Sequence, residues 1–293
     1  MNSLPSFSGF SVGTAQRAGS LILEGAGIEN PVVEARLLLG FVLGGGPERV
    51  LADRDNILTD EQADKLTNGL ERRCRCEPMS QIMGEREFWS MPFKVTSATL
   101  TPRPDTETLI EALIDHVDVA PNRILDLGTG TGCIIMALLS HWEKAQGFAI
   151  DASADALAVA QENADQLGFA DRSTLATGDW TKPGWTDAWN EPFDVVVSNP
   201  PYIPANDIAR LDVDVKDYEP LSALAGGDDG LDAYRAIVAG LQRLLVPGGW
   251  ICFEVGIDQA DDVASLLTDA GYKLLDKRKD LGGIERAVIA RKS

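Results

Sequence analysis

The four consecutive residues Asn199-Pro200-Pro201-Tyr202 have the types and order best suited to chemistry in this chain. They follow an apolar run, FDVVVS at 193–198, that reads as a strand, and open α/β sheets bind ligands at the carboxyl ends of their strands. Two prolines remove two main-chain donors and fix φ, so carbonyl oxygens stay free to accept. The Asn199 side-chain oxygen and the Pro200 carbonyl could together hold both hydrogens of a planar –NH2 group.

This arrangement suits alkylation of an amide or amino nitrogen. An amide nitrogen is a poor nucleophile because its lone pair is delocalised into the carbonyl. Two acceptors would aim that lone pair at an electrophilic carbon and stabilise positive charge as it develops. We predict catalytic roles for Asn199, Pro200 and Tyr202, with Tyr202 stacking on the planar group. The alternative is a rigid strand-exit turn, and neither interpretation requires a metal.

A second segment, ILDLGTGTGCI at 124–134, places glycines between an apolar strand and a helix. Glycines allow a tight turn and close approach of a ligand, and a helix start offers unpaired N–H groups to an anion. The spacing is G-x-G-x-G rather than the dinucleotide pattern. It suits a methionine moiety, with its ammonium on Asp126 and its carboxylate on the loop; a structural turn is the alternative. The predicted cofactor contacts here are Asp126, Gly128, Thr129, Gly130, Thr131 and Gly132.

The ends of the next two predicted strands supply further candidates. Asp151 ends the run GFAID and could bind ribose hydroxyls. Asp179 and Trp180 follow the third run; the carboxylate could bind an adenine amino group and the indole could cover the ring. A tryptophan that only packs in the core is the alternative for Trp180.

Composition limits the possible partners. The chain has 293 residues, 44% of them hydrophobic, with a formal net charge of −19. Phosphate binding relies on lysine and arginine, so this balance argues against a large nucleic-acid footprint. No apolar run approaches the ~18 residues of a membrane span, and the start MNSLPSFSGFSVG lacks the features of a secretory signal. Four cysteines form no metal or disulfide framework. We expect a cytoplasmic monomer without metal, membrane or direct nucleic-acid contacts.

Hydrophobic periodicity divides the chain into three parts. Residues 1–76 read as a small bundle of about four helices, with apolar spacing of three and four. Residues 77–104 contain REFWSMPFKVTSATL, an aromatic and β-branched stretch that predicts a β-hairpin linker. Strands and helices alternate over 105–293, which predicts a doubly wound α/β domain. Two final strands without an intervening helix imply an antiparallel C-terminal strand. The fold class is therefore Rossmann-like: a mostly parallel seven-stranded sheet with a small all-α N-terminal domain.

With these residues in view, the chain resembles the HemK/PrmC-like peptide chain release factor glutamine methyltransferase family over nearly its whole length. The resemblance rests on LTPRPDTE (100–107), DLGTGTG (126–132), Asp151, GDW (178–180), NPPY (199–202) and FEVGIDQ (253–259). It implies a helical N-terminal domain that docks a release factor, and methylation of the glutamine in that factor's Gly-Gly-Gln loop. It also implies S-adenosyl-L-methionine bound by Gly128 to Gly132, Asp151 and Trp180. Asn199 would contact both cofactor and glutamine, with Pro200, Pro201 and Tyr202 lining the acceptor site. Phe88 would form a second wall for the glutamine.

Three other interpretations stay open. The same NPPY chemistry could methylate the amino group of an extruded adenine in DNA or RNA, although no basic recognition domain is evident. A glutamine of a ribosomal protein could be the acceptor. The domain could also bind the cofactor without turnover, although paired acceptors would then have no use.

For Arg103 we weigh two roles, shaping the cofactor entrance or simply pairing with Asp105 or Glu107.

Overall fold

The computed structural model describes residues 4–293, which form two compact units. The first comprises the chain up to Gly84 together with Asp212–Tyr218; the second comprises Glu85–Leu211 and Glu219–Ser293. These limits differ from the expected ones, because helical structure continues beyond residue 76 and the predicted hairpin belongs to the second unit. Residues 1–3 of the predicted helical domain lie outside the described residues.

The α-helices of the described chain are α1 (Val12–Gly25), α2 (Pro31–Val42), α3 (Pro47–Ala52), α4 (Asp60–Arg73), α5 (Met79–Met83), α6 (Glu107–His116), α7 (Cys133–His141), α8 (Ala154–Leu167), α9 (Val213–Lys216), α10 (Asp232–Leu244) and α11 (Ala260–Asp269). The strands are β1 (Glu85–Phe88), β2 (Met91–Lys94), β3 (Arg123–Leu127), β4 (Gln146–Asp151), β5 (Ser173–Thr177), β6 (Phe193–Ser198), β7 (Leu245–Glu254), β8 (Tyr272–Lys279) and β9 (Glu285–Lys292). No helix between residues 4 and 293 is long and apolar enough to cross a bilayer.

The first unit contains α1 to α5 and the short α9. Proline occupies the first turn of α2 and α3, and α4 begins with a capping box in which Thr59 and Gln62 exchange side-chain and main-chain hydrogen bonds. The apolar faces of the helices meet in one core that includes Leu23, Leu38 and Leu70. Residues 4–76 hold four helices, α1 to α4, which agrees with the expected number of about four, and α5 follows at Met79–Met83.

The second unit is built on a sheet whose seven strands, all within residues 85–293, run in the order β5-β4-β3-β6-β7-β9-β8. The strands from β5 to β7 are parallel, and β9 lies antiparallel to both β7 and β8. The mostly parallel seven-stranded sheet with an antiparallel C-terminal strand is therefore confirmed. Leu127 pairs with Ser198 and Ser198 pairs with Phe253, so β3, β6 and β7 end at one edge of the sheet.

Helices cover both faces of this sheet. Ile124 packs in a core with residues of α6 and α7, whereas Leu125 packs in a second core with residues of α10 and α11. Burial on both faces explains why these strands are continuous apolar runs rather than alternating ones. The hairpin of β1 and β2 contributes Phe88 and Phe93 to the first core.

Candidate active site

A cleft lies over the carboxyl ends of β3, β4 and β6 in the second unit. Ligands of open α/β sheets bind at this edge, so the location agrees with the sequence-based expectation. The residues that line the cleft are Ala98, Thr99, Leu100, Thr101, Pro102, Arg103, Thr106, Gly128, Thr129, Gly130, Thr131, Cys133, Ile134, Asp151, Ala152, Ser153, Ala156, Trp180, Asn199, Pro201, Pro220, Ser222 and Ala223.

The loop between β3 and α7 forms one wall. Gly128, Gly130 and Gly132 have φ values of 75°, 54° and 80°, a region that L side chains rarely adopt. A Cβ atom at Gly128 would lie 2.9 Å from Cη2 of Trp180, so the indole packs directly against the main chain of the loop. Gly132 is the N-cap residue of α7. Backbone conformation therefore favours glycine at all three positions, and close packing adds to this requirement at Gly128 and Gly132.

Asp151, the last residue of β4, braces this loop from the next strand. Its Oδ2 accepts a hydrogen bond from the Gly130 N–H (2.9 Å) and its Oδ1 accepts one from the Ser153 N–H (2.9 Å). A carboxylate has about four acceptor positions, so two remain. Because Asp151 also lines the cleft, those positions can accept from the hydroxyl groups of a ligand.

Asp126 lies beneath the loop and is not among the residues that line the cleft, so its contact with a ligand ammonium stays a prediction. The residue is fully buried, and its Oδ2 accepts a hydrogen bond from Thr129 Oγ1 (2.6 Å). No hydrogen-bond donor within residues 4–293 reaches its Oδ1. Burial raises the pKa of Asp126 to about 7, with a further contribution from the charge of Asp151 and an opposing one from the Thr129 hydroxyl.

Trp180 and Asp179 follow β5, but only Trp180 lines the cleft. Asp179 Oδ1 instead accepts hydrogen bonds from the N–H (2.9 Å) and Oγ1 (2.6 Å) of Thr181. These bonds lower the pKa of Asp179. Both bonds use Oδ1, so Oδ2 can still accept, and the contact of Asp179 with an adenine amino group stays a prediction.

At the exit of β6, Asn199 lines the cleft and Pro200 is buried behind it. Asn199 Nδ2 donates to Thr106 Oγ1 over 3.4 Å. Neither Asn199 Oδ1 nor the Pro200 carbonyl receives a hydrogen bond within the described part of the chain. Acceptors on two consecutive residues thus remain free at the strand end.

Tyr202 is held by its main chain. Its carbonyl accepts from Gln259 Nε2 (3.0 Å), and Gln259 Oε1 accepts from the Gly256 N–H (3.0 Å). The Tyr202 ring is partly buried against the second core and is not part of the cleft wall. Gln259 therefore fixes the path of the chain after the two prolines.

Phe88 does not form a wall for the acceptor. Its side chain is 2% exposed and packs edge-on against Phe93, with 6.2 Å between ring centroids. Trp89 and Ser90 both have positive φ, and this two-residue turn sets a register that directs Phe88 into the core. The expectation for Phe88 was therefore wrong.

Arg103 lines the cleft, but its partner is neither Asp105 nor Glu107. Its Nη2 lies 2.8 Å from each carboxylate oxygen of Glu219, whose Oε1 also accepts from the Thr101 N–H (3.2 Å). Asp105 faces Arg286 (3.4 Å) instead. Burial raises the pKa of Glu219, and Arg103 opposes that effect. The pair ties the 101–103 segment to the segment that contributes Pro220, and no local pattern indicated it.

Asn163 of α8 is a second residue that the sequence did not reveal. Fully buried, it accepts from the Lys94 N–H (2.7 Å) and donates to the carbonyl of Thr131 (2.9 Å). It therefore connects the hairpin to the glycine loop. An asparagine inside a helix gives no sequence signal of such a bridge.

The comparisons with known proteins first define a class. Residues 120–265 match a family described as methyltransferase domain. The hMettl16 catalytic domain, solved in complex with a 3′UTR hairpin, is similar with a TM-score of 0.56 and 16% identity over 78% of this chain and 81% of that one. A methyltransferase from Pyrococcus furiosus is similar with a TM-score of 0.51 and 16% identity over 69% and 88%. The fold is that of a Rossmann-like class I methyltransferase.

The family is narrower than this class. Residues 14–84 match the PrmC N-terminal domain. The release factor glutamine methyltransferase of Rhodospirillum rubrum is 46% identical over 274 residues, which cover 94% of this chain and 83% of the relative. That of Bradyrhizobium diazoefficiens is 40% identical over 292 residues, covering 98% and 96%. The chain belongs to the release factor glutamine methyltransferase family.

Proposed function

We propose that this protein transfers a methyl group from S-adenosyl-L-methionine to the side-chain amide nitrogen of the glutamine in the Gly-Gly-Gln loop of peptide chain release factors. Membership of the family supports this activity. The observation that carries the proposal is the pair of free acceptors at the β6 exit, Asn199 Oδ1 and the Pro200 carbonyl. An acceptor nitrogen with two N–H hydrogens fits such a pair.

The cleft has the features needed to hold the cofactor. Asp151 has two acceptor positions left for ribose hydroxyls, and Trp180 offers an aromatic face beside the loop. The glycine loop brings the start of α7, with Cys133 and Ile134, to the cleft surface, where the first N–H groups of a helix favour a carboxylate. When bound, S-adenosyl-L-methionine supplies a methyl group on a positively charged sulfur, which makes the methyl carbon electrophilic.

The chain's own contribution to the reaction is to orient the nucleophile. Asn199 Oδ1 and the Pro200 carbonyl would each accept one N–H of the glutamine amide. This fixes the plane of the amide and directs the nitrogen lone pair away from both acceptors. As positive charge develops on nitrogen, both N–H groups become stronger donors, so the two bonds strengthen in the transition state. Pro201 lines the cleft beside them.

The partner class follows from the same proposal. A net charge of −19 disfavours docking on a polyanion and favours a protein substrate. We include in the proposal that the helical first unit docks the release factor, that the protein acts as a monomer, and that it works in the cytoplasm.

Incubation with labelled S-adenosyl-L-methionine and purified release factors tests the proposal. Mass spectrometry of the Gly-Gly-Gln peptide should show one added methyl group on glutamine. A release factor with alanine in place of that glutamine is the matched control and should stay unlabelled. Parallel reactions with adenine-containing DNA or RNA and with ribosomal proteins distinguish the alternatives. Label in one of those reactions, with none in the release factor, would contradict the proposal.

A further inference from the structure

Glu254 is a buried carboxyl group next to the proposed catalytic asparagine. It is the last residue of β7 and is 2% exposed. The register pairs Ser198 with Phe253 on adjacent parallel strands, so Asn199, which directly follows β6, and Glu254 are the next residues along the two chains. The Glu254 carbonyl accepts from the Tyr234 hydroxyl (2.8 Å), which fixes the main chain. The Glu254 carboxyl group has no role in the proposed methyl transfer.

No ion pair compensates for this burial. Arg286 is engaged by Asp105 (3.4 Å) and Asp280 (3.2 Å), and no cation in the part of the chain that the structure describes forms an ion pair with Glu254. Glu254 Oε2 also lacks a hydrogen-bond partner among residues 4–293. Burying a carboxylate without a partner is costly, so such a group beside a cleft is a candidate for a functional role.

The contacts of Glu254 connect it to Asn199 both directly and through Thr106. The side chains of Thr106 and Asn199 both interact with the Glu254 carboxyl group. Buried Thr106 in turn accepts from Asn199 Nδ2 over 3.4 Å. A hydroxyl group has a single hydrogen to donate. If the Glu254 carboxylate takes that hydrogen, the Thr106 oxygen can only accept, so Asn199 must turn its NH2 toward it and its Oδ1 toward the cleft.

We infer that Glu254 is a positioning residue that acts through the Thr106 hydroxyl to hold Asn199 with Oδ1 facing the acceptor nitrogen. This inference rests on the proposed function. A protonated Glu254 would lose this control, because it can donate its own hydrogen to Thr106 and free the Thr106 hydrogen for Asn199 Oδ1. The carboxylate is therefore the active form, and kcat falls as the pH falls through the pKa of Glu254.

The pKa of Glu254 lies within the pH range in which the enzyme can be assayed. Burial raises the pKa of Glu254 to about 7, and the interactions with Thr106 and Arg286 oppose the effect. The titratable or charged groups that interact with it are Arg286, Asp105, Tyr202, Tyr234, Cys133 and Cys252.

Glu254→Gln in the full-length protein tests the inference, with purified release factor and labelled S-adenosyl-L-methionine as substrates. Glutamine preserves the size of the side chain but can present either oxygen or NH2 to Thr106, so it no longer enforces one orientation. We expect kcat to fall about tenfold or more at about pH 8, with KM for S-adenosyl-L-methionine within about twofold. The acid limb near neutral pH in the wild-type kcat profile should disappear. Glu143→Gln, an exposed glutamate after α7, is the matched control and should keep the wild-type profile.

Two variants of Thr106 provide an independent readout. Thr106→Ser keeps the hydroxyl and Thr106→Val removes it at similar volume, so kcat of the serine variant should exceed that of the valine variant about tenfold. This pair decides the matter if Glu254→Gln fails to fold. The inference is overturned if Glu254→Gln keeps both kcat and the acid limb, or if the two Thr106 variants are equally active. A wild-type protein that methylates no release factor would instead contradict the proposed function, and the inference with it.

Discussion

The two strand exits that build the cleft have opposite backbone chemistry. The β3 exit, residues 128–132, uses three glycines with positive φ and keeps main chain at the surface of the cleft. The β6 exit, residues 199–202, uses two prolines and offers two oxygens that accept no hydrogen bond from the described chain. The first exit suits a ligand with a carboxylate, and the second suits one with an –NH2 group.

The two exits are also held in place differently. Buried polar side chains hold the glycine loop from beneath, with Asp126 bonded to Thr129 and Asn163 bonded to Thr131. The β6 exit needs less support because its prolines limit the backbone, and Gln259 fixes the carbonyl of Tyr202. This contrast predicts that substitutions at one exit change cofactor affinity, whereas substitutions at the other change turnover.

Asn199→Ala should have the largest effect. Removing one of the two acceptors leaves the amide nitrogen unoriented, so kcat should fall on the order of 100- to 1,000-fold or become undetectable. The substitution leaves the glycine loop, Asp151 and Trp180 unchanged, so affinity for S-adenosyl-L-methionine should stay within a few fold of wild type. Single-turnover methylation and titration calorimetry measure the two quantities. Asn122→Ala, an exposed residue at the opposite end of β3, is the control and should retain full turnover. Near-normal kcat in Asn199→Ala would rule out the paired-acceptor mechanism.

Gly128→Ala should affect the other property, cofactor affinity. The new Cβ would lie 2.9 Å from Cη2 of Trp180, and φ is 75°. Either the loop or the indole must move, so we expect affinity for S-adenosyl-L-methionine to fall about tenfold or more, the equivalent of ~1.4 kcal/mol.

Gly168→Ala is the matched control, because Gly168 has a φ of 79° but nothing within 4 Å of an added Cβ. It should lower stability by about 1–3 kcal/mol through backbone strain without changing affinity. Equal affinity losses in the two glycine variants would show that the contact with Trp180 is unimportant.

The two exits also show what the sequence could predict. Each motif is contiguous and follows an apolar strand, so strand order alone was enough to bring Asn199, Asp151 and the glycines to one edge. The fold was predictable for the same reason, because hydrophobic periodicity is a local property of the chain.

Contacts between distant segments were not predictable. Arg103 and Glu219 are 116 residues apart, and nothing near either residue identifies the other. Phe88 was misassigned because the direction of its side chain depends on a hairpin turn at Trp89 and Ser90, which lacks the usual glycine or asparagine. The local bond between Asp179 and Thr181 was likewise not predicted, and it occupies one of the two carboxylate oxygens.

Gln259→Ala should have a smaller effect, confined to the β6 exit. It removes the hydrogen bonds to the Tyr202 carbonyl (3.0 Å) and to the Gly256 N–H (3.0 Å). If the loss of these two bonds raises the activation free energy by about 1 kcal/mol, kcat should fall roughly fivefold. Calorimetry should find cofactor affinity unchanged. Gln242→Ala, on the exposed side of α10, is the control. If Gln259→Ala lowers cofactor affinity by the same factor as kcat, the β3 and β6 exits do not act separately.

Asp126→Asn should have the smallest effect on the fold, and that effect should depend on pH. Burial raises the pKa of Asp126 to about 7, above the ~3.9 of an unfolded chain. Between these values the folded state holds a proton that the unfolded state has released, so this group makes the unfolding free energy fall as the pH rises across that window. Asparagine cannot ionise and does not contribute to this slope. The stability of Asp126→Asn relative to wild type should therefore rise by at least about 1 kcal/mol between about pH 4 and about pH 7. Denaturant unfolding at both pH values measures it, with Asp118→Asn, in an exposed loop, as the control. A difference that stays constant with pH would mean that Asp126 is ionised throughout and that the glycine loop is built over a permanent negative charge.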